Sequence, residues 1–211
     1  MEEELRDRWL RLLAPLGVSE AQAAPVLDDL WRRYGEPGRA YHTIAHVRHV
    51  LEVVDFLRGR EPVDDPIAIE LAVWFHDAVY EPGGQRNEER SAALAAETLL
   101  GWGLAAERVA HVVDLVHVTA AHLPGDADGR VLADADLAVL ASPPDAYELY
   151  RRGVRVEYAH LDDGAWRAGR AAFLRGMLAR EAIFSTPTFR GQAERVARAN
   201  LSAELERLDS G

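Results

Sequence analysis

Apolar positions recur along the chain at intervals of three and four residues almost throughout, the spacing of one face of an α-helix. Residues 2–14 carry Leu5, Trp9, Leu10, Leu12 and Leu13 in that pattern. Ser19, with Gln22 three residues on, reads as a capping box opening a helix that runs to about Tyr34 and tolerates Pro25 early. Gly35-Glu36-Pro37-Gly38 is a break. A third helix is expected between a cap at Thr43 and a stop at Gly59, with Val47, Val50, Leu51, Val54 and Leu57 as its apolar stripe. Asp65 before Pro66 pairs an N-cap with proline at the first helical position. The helix it starts holds Ile67, Ile69, Leu71, Val73, Trp74 and Phe75, is apolar nearly all round, and should therefore be central. It ends in His76-Asp77.

Beyond it, Glu81-Pro82-Gly83-Gly84-Gln85-Arg86 reads as a polar loop, and Asn87 as the cap of a helix with Glu88 and Glu89 in its first turn. That helix should stop near Gly101-Trp102-Gly103, and residues 105–122 form the next. Pro124 to Gly129 is an acidic turn. Leu132 to Leu140 is short and apolar, with Asp134 and Asp136 inside it. Further helices are expected from Ser142-Pro143 toward Tyr158, from Asp162 or Asp163 toward Arg180, and from Thr188 toward Leu208. No strand-type alternation is sustained, and there is no repeat or low-complexity linker. The pattern predicts one all-α domain over residues 1–211, its core roughly 36–160, with the N- and C-terminal helices packed on that core.

Composition narrows the functions available. A hydrophobic share of 48% with 28% charged residues is that of an ordinary globular chain. The formal net charge of -11 disfavours capture of long nucleic acid or of an anionic membrane. The absence of cysteine removes disulfides, thiolate catalysis and sulfur-ligated zinc. The N-terminus, Met1-Glu2-Glu3-Glu4, is acidic and lacks a signal-peptide apolar stretch, and no apolar run suffices for a membrane span, so a cytoplasmic location is expected.

His76-Asp77 is the one His-Asp dipeptide in the sequence. Two metal-binding groups at the end of a buried helix are costly unless compensated, and a divalent cation is the natural compensator. His46 lies 30 residues before His76, and Asp136 lies 59 residues after Asp77. Each alone is a weak signal, since a lone histidine is more often a core or surface group.

Four contexts in order carry more weight: Tyr41-His42-Thr43-Ile44-Ala45-His46, Trp74-Phe75-His76-Asp77-Ala78-Val79-Tyr80, Asn87-Glu88-Glu89-Arg90-Ser91-Ala92 and Asp134-Ala135-Asp136-Leu137. In these the chain resembles the HD superfamily of metal-dependent phosphohydrolases, and within it a bacterial subfamily described only as predicted phosphohydrolases. The resemblance implies an HD-type helical bundle in which His46, His76, Asp77 and Asp136 bind a metal, with Asp134 left as a cap or supporting partner. Such a mixed nitrogen and oxygen set suits Mn, Co, Fe, Ni or Zn, with Mg also admissible.

The (p)ppGpp hydrolases of that superfamily carry an acidic pair three and four residues after the Asp. Here those positions are Tyr80 and Glu81, which leaves Glu81, beside Asp77, as the candidate catalytic acid or base. Arg39 and His42 before the first ligand, His122, and Arg155 with Tyr158 in the late motif are the candidate substrate-binding residues. His49, three after His46, falls outside the matched site, and Trp9, Trp31, Trp102, Phe173 and Phe184 read as packing residues. The expected partner is a small phosphorylated substrate, a nucleotide foremost; oligomeric state is open, a homodimer among the options. The resemblance thus implies a metal-dependent phosphohydrolase acting on a nucleotide or another small phosphorylated metabolite. The alternatives are a nucleotide-sensing module without turnover and a di-iron oxygenase.

Overall fold

The computed structural model describes residues 2–210, and among them all regular structure is helical. Helices α1 (Glu2–Leu13) and α2 (Glu20–Tyr34) flank a short 3-10 turn. At the start of α2 the Ser19 amide donates to Gln22 Oε1 at 3.1 Å, the expected capping box. α3 (Ile44–Arg58) begins after Thr43 and stops at Gly59. α4 (Pro66–Phe75) starts where the Asp65 carboxylate accepts from the amides of Ile67 and Ala68. α5 (Asn87–Gly101), α6 (Ala106–Ala121) and α7 (Ala127–Leu137) follow, α7 running on into a 3-10 turn over Ala138–Ala141. α8 (Pro144–Glu157), α9 (Asp163–Ala179), α10 (Pro187–Gln192) and α11 (Glu194–Asp209) complete the chain.

α4 is the axis of the molecule. Every residue from Ala68 to Phe75 is buried, as an all-round apolar helix requires. Even Glu70 is buried, and Arg8 donates to it at 2.6 Å while also holding Asp55 at 2.7 Å, which ties α1, α3 and α4 together. Trp9 sets its edge on Trp74, ring centroids 5.2 Å apart. A continuous apolar cluster runs from Leu5 to Ala135, so α1 and α2 are part of the main core and do not merely pack upon it. A second cluster begins at Leu137 and is built by α8, α9, α11 and Phe184. No helix among the described residues is long and apolar enough to cross a membrane.

Two local expectations fail for reasons of tertiary bonding. Asn87 does not cap α5. Its side chain turns back across the polar loop, accepting from the Glu81 amide at 3.1 Å and donating to the Glu81 carbonyl at 2.9 Å. The last helix does not begin at Thr188: Thr186 caps α10, and the chain bends at Ala193 before α11. Asp134 fixes the start of α10 from a distance. Buried in α7, it accepts from the amides of Ser185 and Thr186 at 2.7 and 2.8 Å.

Candidate metal centre

His46 stands in the first turn of α3, His76 caps the C-terminal end of α4 and Asp77 follows it, and Asp136 lies near the end of α7. His46, His76 and Asp77 each present a donor atom, all within 4.8 Å of one another, and this group can hold a metal ion. The two Nε2 atoms are 3.1 Å apart. Asp77 Oδ2 lies 3.2 Å from His76 Nε2 and 3.7 Å from His46 Nε2. Asp136 Oδ1 lies 3.1 Å from His46 Nε2 and 3.6 Å from His76 Nε2. Donors about 2.1 Å from a common ion are separated by about 3.0 Å at right angles and about 3.4 Å in a tetrahedron, so the spread of His46, His76 and Asp77 fits one cation, with Asp136 lying against the two imidazoles.

The imidazole tautomer agrees. His76 Nδ1 sits 2.8 Å from the Val73 carbonyl, which can only accept, so Nδ1 carries the hydrogen and Nε2 is free to ligate. Burial opposes a charged His76, yet Asp77 and Asp136 outweigh it and raise its pKa well above the ordinary range. Burial likewise opposes the charge on Asp77, but the imidazoles of His76 and His42 prevail and its pKa is lowered. Asp136 is lowered too, by His122, His46 and His76 against the same burial. At His46 burial wins and the pKa falls. Two carboxylates held ionised around buried imidazoles call for positive charge, which a proton on His76 or a metal ion supplies.

His122 is the C-cap of α6 and has φ 52° and ψ 48°, the left-handed region. Among the described residues it is the one non-glycine with positive φ. Its Nε2 meets Asp136 Oδ2 at 2.8 Å, and Arg180 binds the carbonyls of Ala121 and His122 from outside. His122 therefore orients Asp136 from the strained end of a helix.

The cluster forms one end of a cavity of about 500 Å³, into which His42, Tyr80, His122 and Tyr158 also face. The expected Arg39 role is not what the structure places there. Its side chain is only 3% exposed, and it donates to the carbonyls of His42, Asp77 and Ala78 at 3.1, 2.7 and 3.2 Å. Arg39 thus gathers the two ligand-bearing segments and has no free face for phosphate. Arg155 is likewise committed elsewhere, donating to the Tyr158 carbonyl at 2.9 Å and to Asp163 at 2.9 Å outside this cavity. Glu81 does not reach the cluster: its side chain is 74% exposed and lies 3.8 Å from Arg90. Tyr158 lines the cavity and accepts from the Gly83 amide at 3.2 Å, tying the polar loop to α8. Phe173, expected in the core, is 39% exposed and also lines the cavity.

The residue that sequence reasoning missed is Glu157. Its Oε1 accepts from the amides of Ala40, Tyr41 and His42 at 2.9, 2.8 and 2.8 Å. Its Oε2 takes His42 Nδ1 at 2.7 Å and the Tyr80 hydroxyl at 3.0 Å. One fully buried carboxylate thereby fixes both the approach to α3 and the segment after Asp77. Burial disfavours a charged His42, but Asp77 and then Glu157 overcome it and raise its pKa. Gly153 permits the close approach of α8, since a Cβ there would come within 3.1 Å of Tyr41 Cβ and 3.3 Å of the Ala40 carbonyl. The late Glu in a motif chosen for its Arg and Tyr was the available signal. No protein-family model, curated protein or solved structure matches the chain.

Proposed function

We propose that the protein is a metal-dependent phosphohydrolase of the HD type, acting on a small phosphorylated metabolite with His46, His76, Asp77 and Asp136 as metal ligands. The observation that carries this reading is the meeting of four donors, 3.1–3.7 Å apart across the imidazole contacts, at the end of an open cavity. The order of the motifs, His then His-Asp then Asp, supports the same reading.

A divalent ion held by this set supplies Lewis acidity toward a phosphoryl oxygen and lowers the pKa of water. The chain's own residues do the rest. His76 keeps Nε2 turned to the centre through its bond to Val73, and Asp136 is steadied by His122. Arg39 and Glu157 hold the ligand-bearing segments in register from the two sides. His42, with Nδ1 committed to Glu157, offers Nε2 to the cavity as a donor to phosphate or to a leaving oxygen. It takes the place that the sequence suggested for Glu81.

Purified protein should contain or take up close to one equivalent of a divalent metal. With Mn²⁺ or Co²⁺ it should release phosphate from phosphorylated small molecules, and His76→Ala or Asp77→Ala should abolish that release. Full activity in either variant would overturn the assignment. Binding of phosphorylated ligands with no turnover under any metal would instead favour the sensing module, a reading to which the outward-facing Glu81 lends weight.

A further inference from the structure

Part of the cavity lining is aromatic and apolar and short of free cations. Tyr150, Tyr158, Trp166 and Phe173 face it, with Leu140 and Val154 between them. Among the described residues that line it, Arg170 is the single guanidinium. That guanidinium is already taken: Arg170 Nε and Nη2 bind the buried Glu204 carboxylate at 2.8 and 3.0 Å, and Nη1 donates to the Tyr150 hydroxyl at 3.0 Å. The Arg39 side chain is buried and turns its Nη groups to backbone carbonyls, and Arg155 donates to the Tyr158 carbonyl and Asp163.

Charge bookkeeping on this cavity is short. The carboxylates of Asp77 and Asp136 cancel a divalent ion, Glu204 cancels Arg170, and Glu88 at the rim adds a negative charge. Among the described residues that line it, the imidazoles of His42 and His122 are the only other groups that can carry positive charge. One phosphoryl group can be met by the ion and His42. A second or third would meet carboxylates, aromatic carbon and neutral donors such as the Tyr158 hydroxyl, with no further cation to offset its charge. The Tyr41 hydroxyl, buried beside the cluster and without a hydrogen-bond partner, is a further neutral donor for a single phosphate.

We infer that this cavity takes a phosphate monoester whose alcohol part is flat and largely apolar, stacked on the Trp166–Phe173 wall while its one phosphoryl group faces the metal cluster, and that it rejects polyphosphates. The inference rests on the hydrolytic reading only for the chemistry, not for the binding. Stacking on an aromatic side chain commonly gives about tenfold or more in affinity, whatever the identity of the ring.

The test uses the Mn²⁺-loaded full-length protein and ligands that separate binding from turnover. Phenylphosphonate cannot be hydrolysed at its carbon–phosphorus bond, and calorimetry should find it bound about tenfold or more tighter than methylphosphonate. Phe173→Ala, at a partly exposed position where folding is not at stake, should narrow that gap several-fold, and Trp166→Leu should narrow it further. In hydrolysis, AMP should exceed ATP in kcat/KM by about tenfold or more, and phenyl phosphate should exceed glycerol phosphate. Equal binding of the two phosphonates, or a preference for ATP over AMP, would overturn the inference while leaving a phosphohydrolase in place. Selective phenylphosphonate binding with no ester cleaved under any metal would overturn the hydrolytic reading and leave the inference standing.

Discussion

At the scale of single residues, the site depends on side chains that touch no substrate. His122 occupies a left-handed conformation that costs an ordinary residue roughly 1 kcal/mol, and its bond to Asp136 is what that conformation provides. His122→Gly should therefore separate folding from ion binding. The metal-free variant should unfold within about 1 kcal/mol of the parent, because glycine relieves the strain. Its metal affinity, measured by competition with a chromophoric chelator, should fall about tenfold or more. Glu157 makes a prediction of opposite kind, in stability. Burial works to raise its pKa, but His42 and the amides of His42 and Tyr41 win and lower it from 4.5 to about 2. A carboxylate depressed on folding contributes fully above its unfolded value and loses that contribution as pH falls toward the folded one. Glu157→Gln should thus be less stable at pH 6, and its urea midpoint should change less than that of the parent between pH 5 and about 2. Parallel pH curves would show that Glu157 is not the hub its five contacts indicate.

Elements were legible where the signal is local. Ser19 with Gln22, Asp65 before Pro66, and the stop at Gly59 act on the residues next to them, and each set its helix boundary as read. Asn87 failed because its side chain answers to the backbone of Glu81 six positions earlier and not to its own helix. Likewise, the start of α10 is fixed by Asp134, 51 and 52 residues before the amides it receives. Asp134→Ala should leave those amides without an acceptor, at a cost of about 1–3 kcal/mol for a buried donor. Hydrogen exchange should quicken over residues 183–192 while α4 remains protected; uniform exchange across the chain would contradict that local role. The same distinction explains the site. The meeting of His46, His76 and Asp77 was readable from their motifs, whereas Arg39 looked like a phosphate binder because its carbonyl partners, 38 and 39 residues away, leave no trace in its neighbours. Glu157 reaches across as many as 117 residues, beyond any pattern in one sequence.

For the molecule as a whole, the all-helical architecture was legible from periodicity, and the division of the interior into two clusters was not. Helical spacing says which face is buried and is silent on what it is buried against. The four donors join α3, α4 and α7 at a point where the interior otherwise holds two ionised carboxylates, so an ion should act as a cross-link on the native state alone. Mn²⁺ at about a hundred times its Kd should add about 2.7 kcal/mol to stability. For a chain of this size that corresponds to a rise in Tm of about 5–10 °C, reversed by EDTA and absent in His76→Ala. An unchanged Tm with saturating metal would deny the cluster its ion.

His46, His76 and Asp77 stand on segments built into the first cluster, and Asp136 sits where α7 passes toward the second. Of the aromatic wall, Tyr150, Tyr158 and Trp166 belong to the second cluster, while Phe173 on α9 is partly exposed. The candidate metal group and the aromatic lining are thus anchored in different parts of the interior. Substitutions confined to the cavity-facing side of α9 can exchange one guest molecule for another without altering the segments that carry His46, His76 and Asp77.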